Sequence, residues 1–197
     1  LQLHVRRDMP RAVWEAALDT IASGCGIPAL YNEEKFLGAL QQTELGLEDE
    51  DLGWHNGGGC TETMIHGRSN VGSLDAGINL PLILVQTLED HLATAASFDQ
   101  LVQAYRADVA AAISEIAREV SADQEVKAGL RPQPMRSLLI DDCVKRGLEF
   151  NSGGARYNWS VINVAGLANV VDSLAALREV VFEKREKTGA ALLDMLQ

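Results

Sequence analysis

The sequence has too few cysteines, in the wrong places, to be organised by disulfides. Cys25, Cys60 and Cys143 are odd in number and widely spaced. That fits free thiols in a reducing compartment such as the cytoplasm, not a disulfide framework. No Cys-x-x-Cys pair occurs, and His4, His55, His66 and His91 show no zinc-ligand spacing, so no metal site is expected. Long apolar runs are also missing. The longest candidate, Ile78 to Leu88, is interrupted by Asn79, Pro81 and Gln86 and falls short of the ~18 residues a membrane span needs. Positive charge is scarce: 17 Lys and Arg face 28 Asp and Glu, a net charge of −11. This argues against nucleic acid or an anionic membrane as the main partner, and an anionic substrate would need local basic residues. No secretory signal, internal repeat or low-complexity tract is found. The chain opens at Leu1 in mid-pattern, so an excised segment of a longer protein is expected.

What is present centres on Gly57-Gly58-Gly59-Cys60-Thr61-Glu62. Three glycines strip side chains from the approach to a cysteine and permit backbone dihedrals that other residues avoid. Cys60 is therefore expected on a tight loop open to a cavity. With Thr61 extended, Cys60 and Glu62 project to the same side, which points to paired thiol and carboxyl chemistry. The bland reading is a glycine-rich surface turn with a chance cysteine.

With 197 residues and 47% hydrophobic content, the chain suits one domain, or part of a larger one, with a substantial core. The alternation in Leu1 to Val5 predicts a strand. A helix follows from Asp8-Met9-Pro10, capped by Asp8, with Val13, Trp14, Ala17, Leu18 and Ile21 at helical spacing, and Gly24-Cys25-Gly26 stops it. Ile27 to Tyr31 reads as extended and Asn32 as the next N-cap, with Glu33 and Glu34 at the positive end of the dipole. Leu47 to Leu52 is a short acidic turn. Thr63 to Asn70 reads as a loop, and Asp75 to Leu92 as a helix apolar nearly all round. Phe98 to Val120 is amphipathic. Further helices are expected at Met135 to Arg146, Ala165 to Lys184 and Ala190 to Leu196, with a strand in Ala155 to Val161. Extended runs alternating with helices favour an α/β fold. Cys25 and Cys143 are expected to be ordinary buried thiols.

Several of these segments together resemble the pyruvate formate-lyase-like glycyl radical enzymes. Gly59-Cys60-Thr61-Glu62 is similar to the Gly-Cys-x-Glu of that family's dehydratase and carbon–heteroatom lyase branch. Gly26-Ile-Pro28-Ala-Leu-Tyr-Asn32 resembles its segment before the cysteine loop. Gly153-Gly-Ala-Arg-Tyr157-Asn158 and Gly166-Leu-Ala-Asn169-Val-Val-Asp172-Ser173-Leu174 resemble motifs after it. The resemblance implies that residues 1–197 are a single helix-rich segment of a glycyl radical enzyme-type α/β barrel. It implies that Cys60 becomes a thiyl radical, that Glu62 is the general acid/base, and that a small polar substrate loses water or another leaving group. It also implies a glycyl radical installed by an iron–sulfur S-adenosylmethionine activating enzyme, anaerobic metabolism, and partners in the activase and the remainder of the barrel. A homo-oligomer that covers exposed apolar surface is expected as well.

The sequence departs from the family in two ways. The C-terminal Arg-Val-x-Gly-Tyr-like glycyl loop is missing: Gly189 sits in Lys-Thr-Gly-Ala, which does not resemble it, so the isolated segment is expected to be inactive. The pocket residues also differ. Asn79-Leu80 matches the family's Asn-Leu-like pair, but Gly77 stands where choline-type members carry an aromatic, and His66 and Arg68 are unfamiliar. His66, Arg68, Gly77, Tyr157 and Asn158 are therefore the candidate substrate-binding residues. Arg68 would either hold a substrate carboxylate or lie solvated on a loop. Glu62 would act in catalysis or pair with Arg68, and Tyr157 would line the pocket or pack in the core. Two other functions compete: a hydrolase or transferase with Cys60 as nucleophile and His55 or His66 as base, and a non-catalytic helical interaction module.

Overall fold

The computed structural model describes residues 2–58, 62–71 and 75–196. Strand β1 (Gln2–Val5) leads through helix α1 (Arg11–Thr20) to β2 (Ala29–Asn32), which pairs with β1 in parallel with His4 opposite Tyr31. Asp8 does not cap α1. The cap position is Pro10, and the Asp8 carboxylate accepts from Arg6 instead, at 3.1 and 3.2 Å. The helix does not stop at Thr20 but widens into a π-type turn, Ile21–Cys25, which ends on Gly24 and Gly26 at positive φ. Cys25 on that turn is exposed, contrary to the buried thiol expected, whereas Cys143 is buried.

Asn32 caps α2 (Glu33–Gln41), its side-chain oxygen accepting from the Lys35 N–H at 2.9 Å. A 3-10 turn, Asp49–Trp54, delivers the chain to β3 (His55–Gly58) and β4 (Glu62–Ile65), an antiparallel hairpin. The segment read as a loop from Thr63 to Asn70 is therefore largely strand, since Ser69–Val71 forms β5 as well. Its polar composition hid two strands, one that pairs within the hairpin and one whose partner lies far along the chain.

The expected helix from Asp75 also begins as a strand. Residues Ala76–Asn79 form β6, and α3 (Leu80–His91) starts directly after it, with Asn79 as cap and Pro81 in the first turn. Leu80, Leu84, Leu88 and Leu92 recur every four residues and form one buried stripe, while Leu82 and Val85 on the other face are exposed. Against that stripe lies α4 (Phe98–Leu130), capped by Ser97 and ten residues longer than its amphipathic pattern indicated. Ile78, Leu101, Tyr105, Val170 and Leu177 complete the main core. Burying each such large side chain contributes roughly 1.5–3 kcal/mol.

The stretch read as one helix from Met135 is two, α5 (Pro134–Leu139) and α6 (Asp141–Arg146), separated by Ile140 in extended conformation. Strand β7 (Tyr157–Trp159) pairs in parallel with β5, and β8 (Ile162–Ala165) with β6. After β8, Gly166 at φ 79° opens α7 (Leu167–Leu177), which passes into a second π-type turn, Arg178–Glu183. Leu167 and Val171 on α7 are exposed, whereas Val170 and Leu177 are buried. The last helix is α8 (Gly189–Leu196). Among the described residues the strands thus form three parallel pairs and one antiparallel hairpin. No helix among the described residues is long and apolar enough to cross a membrane.

The β6–α3 and β8–α7 junctions touch at Gly166, where an added Cβ would collide with the Pro81 ring in a left-handed backbone conformation. Gly166→Ala should therefore destabilise the fold by more than ~2 kcal/mol in denaturant unfolding. Gly129→Ala in α4, where a Cβ meets open space, should be neutral or stabilising by up to ~1 kcal/mol. Equal effects at the two positions would contradict this account of the junction.

Candidate active-site hairpin and its supports

The hairpin β3–β4 carries the candidate chemistry. Its register sets His55 opposite Ile65, Asn56 opposite Met64, Gly57 opposite Thr63 and Gly58 opposite Glu62. Side chains alternate along each strand and opposed residues share a face. Asn56, Gly58, Glu62 and Met64 therefore lie on one face, and His55, Gly57, Thr63 and Ile65 on the other. Cys60, with Gly59 and Thr61, lies between Gly58 and Glu62 and outside the described residues. Glu62 is half-buried at the first position of β4 and engaged in an interaction of its own.

The glycines before Cys60 were read as clearing space around a cysteine, but two of them clear space for close packing. At Gly57 a Cβ would collide with the Tyr31 hydroxyl and the Gln2 amide. The Gln2 side chain instead brackets that residue, its Nε2 donating to the Gly57 carbonyl and its Oε1 accepting from the Gly57 N–H at 2.9 Å. At Gly58 a Cβ would strike Met64 Sδ. These residues are glycine because the β1–β2 pair and the partner strand press directly on the hairpin backbone.

Under the hairpin, His4, Tyr31, Phe36 and His55 form a ring cluster. Phe36 stacks on His55 at 5.2 Å between centroids, and His4 lies 4.8 Å from His55. His55 Nδ1 lies 2.7 Å from the Leu52 carbonyl. A carbonyl only accepts, so Nδ1 bears the proton and Nε2 presents a lone pair. His55 Nε2, Tyr31 Oη and Asn56 Oδ1 are buried without a hydrogen-bond partner among the described residues. Burial, and then the neighbouring His55, push the His4 pKa down, while Glu33 opposes.

The entry to the hairpin is fixed by a buried ion-pair knot. Asp51, on the 3-10 turn, is fully buried. Its carboxylate accepts from the Tyr157 hydroxyl at 2.6 Å, from Arg156 Nη1 at 2.8 and 3.1 Å, and from Arg68. Arg156 also donates to Asp142 at 2.9 Å. Arg68 lies 5.3 Å above the Trp54 ring centroid and 3.9 Å from Asp141. Burial is the largest influence on Asp51 and pushes its pKa up, but the Tyr157 hydroxyl and the Arg156 and Arg68 charges together hold it below the usual range. For Asp142 the Arg156 hydrogen bond dominates and lowers the pKa against burial. Burial, and then Asp51, push the Tyr157 hydroxyl up.

Two residues singled out for substrate binding thus meet around Asp51. Arg68 and Tyr157 are engaged inside the chain, and the Tyr157 oxygen also accepts from the Glu48 N–H at 3.0 Å. The others lie apart. His66 is exposed, with its backbone N–H bonded to the Trp54 carbonyl at 2.9 Å. Gly77 is exposed on β6, opposite Asn163. Asn158 is exposed opposite Asn70 on β5 and donates to the Ala155 carbonyl at 3.0 Å. Asp51 and Arg156, the centre of the knot, were not singled out. The signal for them was present: Asp51 ends the acidic run before the hairpin, and Arg156 sits in the Gly-Gly-Ala-Arg-Tyr motif.

Because the folded-state pKa values of Asp51 and Asp142 are depressed, the unfolded chain takes up protons first as pH falls. The stability they supply is complete above the ordinary aspartate pKa of ~3.9 and is lost as pH falls through the lower folded-state values. Urea unfolding across the acid range should show this loss. Asp51→Asn should flatten the acid limb and cost ~3 kcal/mol at neutral pH, because it leaves Arg156 and Arg68 poorly compensated. Tyr157→Phe should cost roughly 1–3 kcal/mol by removing one donor to a buried carboxylate. An unchanged acid limb in Asp51→Asn would refute the role given to the knot.

Comparison with known proteins gives the setting of this hairpin. A family model described as pyruvate formate lyase-like matches residues 1–197. Trans-4-hydroxy-L-proline dehydratase of Clostridioides difficile is 27% identical over 209 residues, covering 98% of this chain and 26% of that protein. A protein solved for 1,2-propanediol dehydration in Roseburia inulinivorans superposes with a TM-score of 0.92 at 29% identity, covering 100% of this chain and 26% of that one. The glycerol-bound B12-independent glycerol dehydratase of Clostridium butyricum superposes with a TM-score of 0.92 at 27% identity, with the same coverage. The chain spans about a quarter of the length of these relatives. The two-stranded pairs are accordingly a helix-rich piece of an α/β barrel, and the chain belongs to the pyruvate formate lyase-like family of glycyl radical enzymes.

Proposed function

We propose that residues 1–197 form one segment of a barrel and supply the cysteine half of the active site of a glycyl radical dehydratase or lyase acting on a small hydroxylated substrate. The observation that carries this reading is the β3–β4 hairpin. In the sequence Cys60 falls between its glycine-lined strand end and Glu62, and the base of the hairpin is clamped by Gln2, Tyr31 and the Asp51 knot. The relatives named above include dehydratases of trans-4-hydroxy-L-proline and glycerol, which supports a hydroxyl-bearing substrate. A rigid support holds a reactive side chain close to its productive geometry.

A glycyl radical, installed by an iron–sulfur S-adenosylmethionine activating enzyme and carried on another part of the barrel, would supply the unpaired electron. The residues of this chain perform the remaining steps. The Cys60 thiol gives up its hydrogen atom, and the resulting thiyl takes one hydrogen atom from a substrate carbon. Glu62 handles the proton that accompanies departure of the adjacent hydroxyl as water. Hydrogen-atom return from the Cys60 thiol to the product radical regenerates the thiyl, so each turnover releases one water and leaves the cysteine unchanged. A reducing, oxygen-poor cytoplasm suits such chemistry, because exposed thiols and carbon radicals are readily oxidised. A reading of Cys60 as a polar nucleophile fits less well. It needs a base beside the thiol, but His55 lies three strand residues, or ~10 Å, before Gly58, and His66 follows β4 at the same base end of the hairpin.

In the activated full-length protein, Cys60→Ala should abolish turnover of glycerol, 1,2-propanediol or trans-4-hydroxyproline, whichever the wild type accepts. Glu62→Gln should lose ~10²–10⁴-fold in kcat while the electron paramagnetic resonance signal of the glycyl radical remains. Wild-type turnover in Cys60→Ala would end this reading. Full turnover in Glu62→Gln would remove the carboxylate from the mechanism.

A further inference from the structure

Away from the hairpin, a polar cavity of about 550 Å³ lies between the C-terminal part of α4 and the β5–β7 pair. No described residue of β3 or β4 lines it. Five charged side chains do: Asp75, Asp123, Lys127, Arg131 and Arg136. Lys127 answers both carboxylates, at 3.5 Å from Asp75 and 3.1 Å from Asp123. Asp75 is further occupied by the Val161 N–H at 3.2 Å. Glu149, just behind the wall, turns its oxygens onto the Asn151 and Gln133 N–H groups. That leaves Arg131 and Arg136, on either side of the break between α4 and α5, without a carboxylate partner among the described residues. Arg136 rests 5.5 Å above the Phe150 ring centroid, which holds its guanidinium at the cavity wall. Asn70, Gln124, Gln133, Asn151 and Asn158 add uncharged polar side chains to the lining.

Two unanswered guanidiniums beside one cavity are unexpected on average charge, because the chain carries a net charge of −11. Neighbouring cations repel one another, and an anion shared between them removes that repulsion. A guanidinium presents paired N–H donors that match the oxygens of a phosphoryl group bidentately. We propose that this cavity binds a tetrahedral dianion, either free phosphate or the phosphate of a monoester, between Arg131 and Arg136. The proposal does not rest on the thiol chemistry proposed for the hairpin, although Asn158, one of the candidate substrate contacts, lines the same cavity.

Isothermal titration and phosphorus NMR of the protein at low ionic strength, with inorganic phosphate, glycerol 1-phosphate and acetate as probes, test the proposal. Saturable binding of phosphate or the monoester is expected, weakened about tenfold or more by Arg131→Gln and by Arg136→Gln. Arg131→Lys, which keeps the charge and loses the fork, should fall between. Arg11→Gln, on the exposed face of α1, should change nothing. Tighter binding of glycerol 1-phosphate than of phosphate would identify the monoester as the ligand, and the reverse would identify the free ion. No saturable binding of either phosphate probe would overturn the proposal. So would acetate binding as tightly as phosphate, or full phosphate binding by a folded Arg131→Gln/Arg136→Gln double variant.

Discussion

A single buried carboxylate imposes more order on this structure than any other group. An ionised aspartate removed from water is destabilising by several kcal/mol unless its oxygens are answered by well-placed donors. Asp51 is answered by three donors from two places in the sequence: the turn after β4 supplies Arg68, and the start of β7 supplies Tyr157 together with Arg156 just before it. Arg156 extends the requirement to Asp142 on α6. Burying one charge therefore fixes how the 3-10 turn, the β5–β7 pair and α6 sit against each other. Parallel pairing of β5 with β7, whose sequence separation is large, gains an anchor that three residues of strand do not supply alone.

The hairpin inherits its position from that anchor on one side and from β1–β2 on the other. Asp51 and Trp54 precede β3 directly, and Arg68 follows β4, so the knot closes the two ends of the hairpin together. Gln2 then reads both backbone groups of Gly57, and Tyr31 lies where a side chain at Gly57 would have to be. Glycine is required by the closeness of these contacts, and every larger residue would push the hairpin off β2. The support is thus built from uncharged packing on one flank and charge pairing on the other.

The local signals in the sequence were strong where chemistry is local. Asn32 and Ser97 cap helices because their short side chains reach the third N–H on, and both positions are readable without a fold. The i, i+4 stripe of leucines in α3 and the amphipathic pattern of α4 place the main core. What escaped reading depends on partner strands that the local sequence does not show. Glu62–Ile65 and Ser69–Val71 are polar, and pairing with β3 and β7 makes them strands. Residues Ala76–Asn79 look helical because apolar residues continue into α3, and only β8 alongside shows them to be extended. Asp8 would cap a helix starting one turn earlier, but Pro10 fixes the start and Arg6 takes the carboxylate. At the site the sequence left more than one role open for Arg68 and Tyr157. Arg68 and Tyr157 were weighed as substrate contacts, yet their charge and hydroxyl are engaged by Asp51, the last residue of the acidic run before the hairpin.

The pattern of exposure bears on the proposed barrel in a physical way. Parallel strands are usually buried on both faces and flanked by further strands, yet each pair here has only two strands among the described residues. Val164 on β8, Leu167 and Val171 on α7, and Leu82 and Val85 on α3 are exposed, and all five are large apolar residues. They cluster on the two strand–helix units, β6–α3 and β8–α7, joined at Gly166. An apolar helix face beside an unpaired strand edge is what remains when a parallel sheet is divided between segments, because each strand then loses one neighbour and each helix one flank. The knot around Asp51, by contrast, is complete within this chain. The support of the hairpin is therefore local to the segment, and the enclosure its chemistry needs is what the proposed remainder of the barrel would add.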